Sequence, residues 1–152
     1  MNRNLSIRPQ STQDLPLETI WRTDPDIAIL NPPIPVDSYI EYYSIFLGTR
    51  HIGMTCLYNR NPIEAELGII IGERDCWDKG YGTDAVLQVL KYCFEVLCLE
   101  RVYLSVLPDN IRAVRCYIKC GFRQIGQMDA IGHTFDIMEV KNGNISGGGT
   151  NA

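Results

Sequence analysis

Hydrophobic and polar residues alternate along the first half of the chain in short runs that are typical of β-strands. These runs predict strands over residues 5–8, 39–47, 51–58 and 63–71. The fourth run ends in the unbroken apolar stretch 67–71, which predicts burial on both faces of a sheet. Residues 11–20 are predicted to form a helix. Four prolines between residues 24 and 35 predict a loop in that segment.

The periodicity becomes helical after residue 80. Apolar residues repeat at intervals of three and four between residues 82 and about 99, which predicts a long helix. A strand is predicted over 101–107, followed by a second helix that Asn110 can cap and Gly121 can stop. Two final strands are predicted over 122–127 and 134–140. This order of elements predicts a mixed α/β sheet covered by helices.

Composition limits the chain to one domain. It has 152 residues, of which 45% are hydrophobic and 21% charged, so one core of ordinary size can be buried. We expect a single domain over residues 1–141 and a flexible tail over 142–152, where apolar anchors are lacking. The sequence shows no apolar run of membrane-spanning length and no secretory signal, so we expect a cytoplasmic protein without a membrane partner. A net charge of −4 argues against a nucleic-acid partner.

The cysteines and histidines do not form a metal-binding pattern. No two of the six cysteines are spaced as C-x-x-C, and His51 and His133 are far in sequence from any cluster of cysteines. We therefore expect no metal site and interpret the cysteines as buried free thiols. Cys116 precedes Tyr117 on a predicted helix and is expected to face away from it, which disfavours a covalent cysteine mechanism.

The most informative segment connects a buried strand to a helix. It runs Trp77-Asp78-Lys79-Gly80-Tyr81-Gly82-Thr83. Two glycines separated by one residue allow backbone N–H groups to converge on an anion, and the helix that follows adds unpaired N–H groups. Lys79 supplies a positive charge. These features favour a phosphate or diphosphate, although a tight turn that needs glycine only for its backbone angles has the same pattern.

The same glycines also match the dinucleotide pattern G-x-G-x-x-A, continued here by Thr83, Asp84 and Ala85. A nicotinamide-dependent oxidoreductase is therefore an alternative. Two observations count against it: Gly80 lies well beyond the strand end at Ile71, and the chain is short for a fold with two nucleotide-binding halves.

A second motif follows the next strand. Asn110 lies at the start of a predicted helix, and Tyr117 lies two helical turns later on the same face. Together with the glycine turn, this segment resembles the GNAT superfamily of acetyl-CoA-dependent N-acetyltransferases, most closely the branch of spermidine and ribosomal-protein N-terminal acetyltransferases. The R/Q-x-x-G-x-G/A motif of the family corresponds to residues 77–82. Its N-x-x-A-x-x-x-Y-x-x-x-G-F segment corresponds to Asn110, Ala113, Tyr117, Gly121 and Phe122.

The resemblance implies a fold and a cofactor site. The expected fold is α/β, with a central, mostly antiparallel, twisted sheet that splays at the cofactor site and carries helices on both faces. Acetyl-CoA is the implied co-substrate. The implied cofactor-binding residues are Ile69, Ile70, Ile71, Trp77, Asp78, Lys79, Gly80, Tyr81, Gly82, Thr83, Asn110, Ala113 and Tyr117. Trp77 departs from the Arg or Gln of the family, and Asp78 brings a negative charge close to the diphosphate.

The resemblance also implies direct attack of a primary amine on the thioester in a ternary complex. The amine must lose a proton, and Glu66, or alternatively Glu64, is expected to accept it through water. The leaving thiolate needs a proton, which the Tyr117 phenol is expected to donate. We therefore interpret Tyr117 and Glu66 as the catalytic residues.

Other interpretations remain open. Glu66 can be a solvent-facing strand residue, Tyr117 a core aromatic residue, and the basic residues Arg112, Arg115 and Lys119 a solvated helix face. Because of Trp77 and Asp78, the domain can also be an inactive CoA-binding sensor or scaffold. The acceptor is expected to be a small-molecule amine or a protein N-terminal amine, and the predicted sheet edges are compatible with a homodimer.

Overall fold

The computed structural model describes residues 4–33 and 39–144. The described strands are β1 (Leu5–Pro9), β2 (Glu41–Leu47), β3 (Arg50–Tyr58), β4 (Glu64–Ile71), β5 (Arg101–Val106), β6 (Arg123–Ala130) and β7 (His133–Lys141). The described α-helices are α1 (Leu15–Thr23), α2 (Pro25–Ala28), α3 (Tyr81–Lys91) and α4 (Ile111–Lys119). The predicted flexible tail lies outside the described residues from position 145 onward.

The strands form one sheet in the order β1-β2-β3-β4-β5-β7-β6. Among these described strands, only β4 and β5 pair in parallel, and every other neighbouring pair is antiparallel. The predicted mixed, mostly antiparallel sheet is therefore confirmed. This topology differs from the parallel sheet that the dinucleotide alternative requires.

Helices cover both faces of the sheet. Successive strand residues point to opposite faces, and on β2 the Ser44 hydroxyl bonds Glu18 of α1 while the next residue, Ile45, packs with Ala85 of α3. Helix α4 lies beside α3, with the Cys120 thiol 3.7 Å from the Thr83 carbonyl oxygen. The main core fills the space between the sheet and these two helices.

Two segments differ from the sequence-based prediction. The loop predicted over 24–35 contains the short helix α2, which begins with Pro25 in its first turn and is capped by the Asp24 carboxylate accepting from the Asp26 amide at 3.0 Å. Proline suits the first helical position because no intrahelical bond is lost there. The helix predicted to reach residue 99 ends as α-helix at Lys91 and continues as one π-helical turn, Tyr92–Val96.

Helices α1 and α2 are fastened to the end of β4. The Trp21 indole N–H donates to Glu73 at 2.8 Å, and Arg74 makes ion pairs with Asp24 at 2.8 Å and Asp26 at 2.9 Å. The close approach of Trp21 to the backbone requires glycine at position 72, since a Cβ there would lie 2.0 Å from the indole. These contacts hold the two helices over the part of the sheet where the site opens.

The described helices are short. Helix α3, the longest of them, has 11 residues, and no helix in the described ranges is long and apolar enough to cross a membrane.

Candidate active site

Strands β4 and β5 separate after a short parallel contact. They pair only over Glu64–Glu66 and Arg101–Tyr103, and beyond this point each strand keeps its outer neighbour while the inner edges part. A cleft with a volume of about 590 Å³ and a second, smaller cavity of about 200 Å³ lie at this split. We call the smaller one the inner cavity; its lining includes Tyr58, Ser105, Tyr117 and Phe135. The splayed sheet expected from the resemblance is therefore present.

The cleft collects nearly all of the residues predicted for the cofactor site. Its lining includes Ile69, Ile70, Ile71, Trp77, Asp78, Gly80, Tyr81, Gly82, Thr83, Asn110, Ala113 and Tyr117. Two predicted site residues lie outside the lining of the cleft: Lys79, which is exposed, and Glu66, which is buried. Residues 69–83 and 110–117 thus converge although they belong to separate parts of the chain.

The open edge of β4 presents backbone groups to the cleft. The Gly72 amide donates to Ile52 of β3 at 2.8 Å, so the alternation of a strand turns the backbone groups of Ile69 and Ile71 to the open side. The backbone of Ile70 faces β3 by the same alternation. The Trp77 indole N–H donates to the Ile71 carbonyl at 2.7 Å and so occupies one acceptor of this edge.

The glycine turn leads directly into α3. Gly80 precedes the helix with φ of +85°, in the left-handed region that favours glycine. Asp78 is also left-handed, with φ of +60°. The amides of Tyr81, Gly82 and Thr83 lie in the first turn of α3, where helix geometry offers them no intrahelical acceptor. Converging N–H groups and the positive end of the helix dipole make this turn suitable for an anion.

Tyr117 and Asn110 share a helix face, as their spacing predicts, and both line the cleft and the inner cavity. The Asn110 side chain accepts from the Ala113 amide at 3.4 Å, which confirms its role as the cap of α4. The Tyr117 ring is 5% exposed and packs against Phe122 at a centroid distance of 5.6 Å. Burial raises the pKa of Tyr117, so the phenol stays protonated at neutral pH.

Glu66 lies behind the inner cavity and is only 6% exposed, so the interpretation as a solvent-facing residue is wrong. Its carboxylate accepts from the Tyr58 hydroxyl at 3.1 Å, the side-chain amide of Asn59 at 2.9 Å and the Ser105 hydroxyl at 3.2 Å. Tyr58 and Ser105 line the inner cavity, so their hydroxyls stand between the cavity and the carboxylate. By contrast, Glu64 is ion-paired with Arg101 at 2.6 Å.

The cysteines are free thiols, as predicted, but only Cys76, Cys93 and Cys120 are buried. Cys56 and Cys116 are partly buried, and Cys98 is exposed. Cys116 also lines the cleft, but unlike Tyr117 it does not line the inner cavity. Its thiol is close to the glycine turn, because a side chain at position 82 would have its Cβ 3.7 Å from the Cys116 sulfur. The neighbouring Cys120 thiol lowers the pKa of Cys116.

Several lining residues were missed by sequence reasoning. Helix α2 and the residues after it contribute Asp26, Ile27, Leu30 and Asn31 to the cleft. Tyr58, Ser105 and Phe135 line the inner cavity and come from three different strands. Their placement depends on strand pairing, and a motif in one segment gives no signal for it.

The site is thus a cleft of about 590 Å³ in a split mixed sheet, lined by a glycine turn at a helix N-terminus and by a buried tyrosine. Residues 4–123 match the family model described as the Acetyltransferase (GNAT) domain. The chain therefore belongs to the GNAT acetyltransferase family.

Similar proteins agree with this assignment. The chain is 35% identical over 79 residues to a spermidine N(1)-acetyltransferase from Vibrio cholerae, a match that covers 51% of the chain and 45% of the relative. The chain spans less than half the length of the curated relatives it matches.

Solved structures share the fold. A crystal structure of spermidine N-acetyltransferase from Vibrio cholerae in complex with CoA and spermine superposes with a TM-score of 0.82 at 22% identity, covering 94% of this chain and 98% of that chain. The aminoglycoside acetyltransferase AAC(6')-Ib in complex with coenzyme A superposes with a TM-score of 0.80 at 18% identity, covering 91% and 95%.

Proposed function

We propose that the chain is an acetyl-CoA-dependent N-acetyltransferase that transfers acetyl to a primary amine by direct attack in a ternary complex. The observation that carries this proposal is the convergence, in one cleft, of an open strand edge, a glycine turn and Tyr117. Membership of the GNAT family and the CoA in the two similar solved structures support it.

The residues of the cleft fit the coenzyme. The amides of residues 81–83 are suited to its diphosphate, because they have no acceptor within the helix and lie at the positive end of α3. The backbone groups of Ile69 and the amide of Ile71 are suited to the pantetheine amides, since an extended chain can bond to an open strand edge. The Ile71 carbonyl already accepts from the Trp77 indole. Asn110 and Ala113, at the start of α4, also line the cleft.

Glu66 is the proposed base. The amine of the acceptor must give up a proton before its lone pair can form the C–N bond with the thioester carbonyl carbon. Because Glu66 lies outside the cavity lining, the proton has to pass through a group that faces the cavity. The Ser105 and Tyr58 hydroxyls both donate to the Glu66 carboxylate, and we place them, alone or with water, in this path.

Tyr117 is the proposed acid. As the C–S bond breaks, the thiolate sulfur takes up the phenolic proton, which the raised pKa of Tyr117 keeps available at neutral pH. When the C–N bond forms, the nitrogen must lose a second proton, and this proton replaces, directly or through solvent, the one that Tyr117 gives to the sulfur. The products are the amide and the CoA thiol, and Glu66 releases the first proton to solvent.

A small-molecule amine is the proposed acceptor. The Vibrio cholerae relative is named for spermidine, and its solved structure holds spermine. In this chain the inner cavity combines apolar walls with the Tyr58 and Ser105 hydroxyls and the Asn31 side chain. An amine group can enter such a cavity and reach the hydroxyls bonded to Glu66.

Isothermal calorimetry with acetyl-CoA, combined with a turnover assay on spermidine, spermine, kanamycin and amino acids, tests the proposal. We expect binding of acetyl-CoA and release of CoA thiol with at least one of these amines. Binding without turnover on any amine would favour the inactive sensor or scaffold. Binding of NAD in place of acetyl-CoA would favour the oxidoreductase.

A further inference from the structure

Helix α4 places three basic side chains on the wall of the cleft. Arg112, Arg115 and Lys119 are all exposed, and all three line the cleft, so the solvated face that the helical spacing allows is also a wall of the site. Arg112 is distinguished from the other two by contacts that hold its side chain next to the glycine turn. These contacts are made by Trp77 and Asp78, the two residues at which the chain departs from the family motif.

Trp77 provides a fixed platform for the Arg112 guanidinium. The indole is anchored by its N–H, which donates to the Ile71 carbonyl at 2.7 Å. The guanidinium carbon of Arg112 lies 4.3 Å from the centroid of the indole ring, within the range of a cation–π contact. Arg74 lies 5.3 Å from the same centroid, so the indole is flanked by two positive charges.

Asp78 fixes the direction of the same guanidinium. The Nε–H of Arg112 donates to the Asp78 carboxylate at 3.1 Å. This bond joins two side chains that are 46% and 74% exposed, and an ion pair this exposed adds little to stability. Among the described residues the contact uses Nε only, which leaves the terminal NH₂ groups of the planar guanidinium for a second acceptor.

We propose that Arg112 binds the diphosphate of the coenzyme over the glycine turn, and that Trp77 and Asp78 position it for this contact. The inference rests on the proposed function. Arg112 supplies from α4 a guanidinium like that of the relatives with arginine at position 77 of the motif, and it also offsets the negative charge of Asp78. The pairing of Arg112 with Asp78 thereby accounts for both departures from the family motif.

Calorimetry with acetyl-CoA and with dephospho-CoA, which lacks the 3′-phosphate, tests this inference. The variants are R112A, R112K, W77L and the double variant W77L/R112A. Arg123, an exposed arginine of β6, supplies the matched control R123A. Thermal unfolding of each variant checks that the fold is retained.

We expect R112A to weaken binding of both compounds by the same factor, about ten- to a hundredfold, because a charge-assisted hydrogen bond is lost. R112K should also weaken binding, since lysine cannot bond Asp78 and a phosphate in the same fork geometry. R123A should bind as the wild type does. W77L should weaken binding, and W77L/R112A should bind no more weakly than R112A, because Trp77 acts through Arg112.

Unchanged affinity in R112A would overturn the inference and return Arg112 to a solvated role. A loss confined to acetyl-CoA, with dephospho-CoA unaffected, would also overturn it, because the contact would then be to the 3′-phosphate. Additive losses in the double variant would remove the positioning role of Trp77. If the wild-type protein bound neither compound, the proposed function itself would fail, which is a different result from each of these.

Discussion

The Ser105 hydroxyl donates to the Glu66 carboxylate over 3.2 Å, next to the point where β4 and β5 stop pairing. Ser105 lines the inner cavity, whereas the carboxylate lies behind it. The parting of the two strands therefore creates the cavity and also connects it to a buried carboxylate. The predicted role of Glu66 depends on this connection.

Replacing Glu66 with Gln should lower turnover by about a hundredfold or more, because an amide cannot accept the proton of the amine. The affinity for acetyl-CoA should be nearly unchanged, since Glu66 lies outside the cleft lining. Turnover measured from pH 5 to 10 is the decisive readout, with the exposed Glu95→Gln as the matched control. A pH profile identical to that of the wild type would exclude Glu66 as the base.

The two hydroxyls that donate to Glu66 should act as alternatives for one another. Ser105→Ala and Tyr58→Phe should each reduce turnover partly, because the other hydroxyl still links the cavity to Glu66. The double variant should fall close to the level of Glu66→Gln, a non-additive loss typical of groups that act as a unit. Full turnover in the double variant, with the melting temperature retained, would show that the proton takes another path.

Removing the phenolic hydroxyl of Tyr117 should impair the chemical step and leave coenzyme binding intact. Tyr117→Phe is expected to lower turnover by about a hundredfold while the Kd for acetyl-CoA changes little, because only proton donation to the thiolate is lost. Tyr92→Phe, at a partly exposed position on the π-helical turn, is the matched control. Unchanged turnover in Tyr117→Phe would remove the residue from the mechanism.

Asp14 should make stability depend on pH in acid. Burial alone raises its pKa, but bonds from the Ser11 amide, the Ser44 hydroxyl and Arg8 outweigh this effect and lower the pKa to about 2. Because the pKa in the folded protein is below the ordinary value of 3.8, the stabilising contribution is complete above about pH 4 and is lost as the pH falls through about 2.

Urea unfolding between pH 2 and 6 measures this contribution. Compared with the wild type, Asp14→Asn should be less stable at pH 6, and its free energy of unfolding should fall less steeply on acidification. Part of the slope will remain, because hydrogen bonds and ion pairs also lower the pKa of other carboxyls, namely Asp24, Asp75 and Glu139. Equal slopes in the two proteins would contradict the role assigned to Asp14.

The contact between Trp21 and Gly72 should be intolerant of a side chain. Gly72→Ala would place a methyl group 2.0 Å from the indole, and the required movement should cost roughly 1–3 kcal/mol of stability. Gly126→Ala is the matched control, because a Cβ there meets open space. Denaturant unfolding compares the two variants, and equal stability would mean that α1 is not held against β4 as described.

Much of the fold could be predicted because its signals are local. The two-residue periodicity and the glycine and proline stops locate β1 to β7 within a few residues of their observed ends. The four prolines between residues 24 and 35 predict a loop and give no signal for helix α2, although the first turn of a helix accommodates a proline such as Pro25. The π-helical turn after Lys91 continues the apolar spacing of an α-helix, so the sequence gives no separate signal for it.

The candidate site was predictable only where its residues lie in continuous motifs. The glycine turn and the Asn110–Tyr117 pair each lie within one segment, and both line the cleft. The contact between Arg112 and Asp78 joins residues 34 positions apart, and the bond from Ser105 to Glu66 depends on the register of β4 and β5. Spacing along one helix or strand does not determine such contacts, because they arise from the packing of separate elements.

A crystal structure of the protein soaked with acetyl-CoA tests the central claim most directly. We expect the diphosphate on the amides of residues 81–83, the pantetheine along the open edge of β4, and the thioester sulfur within hydrogen-bond reach of the Tyr117 phenol. A coenzyme bound outside the split between β4 and β5, or a Tyr117 hydroxyl directed away from the sulfur, would contradict the assignment of acetyl transfer to this site.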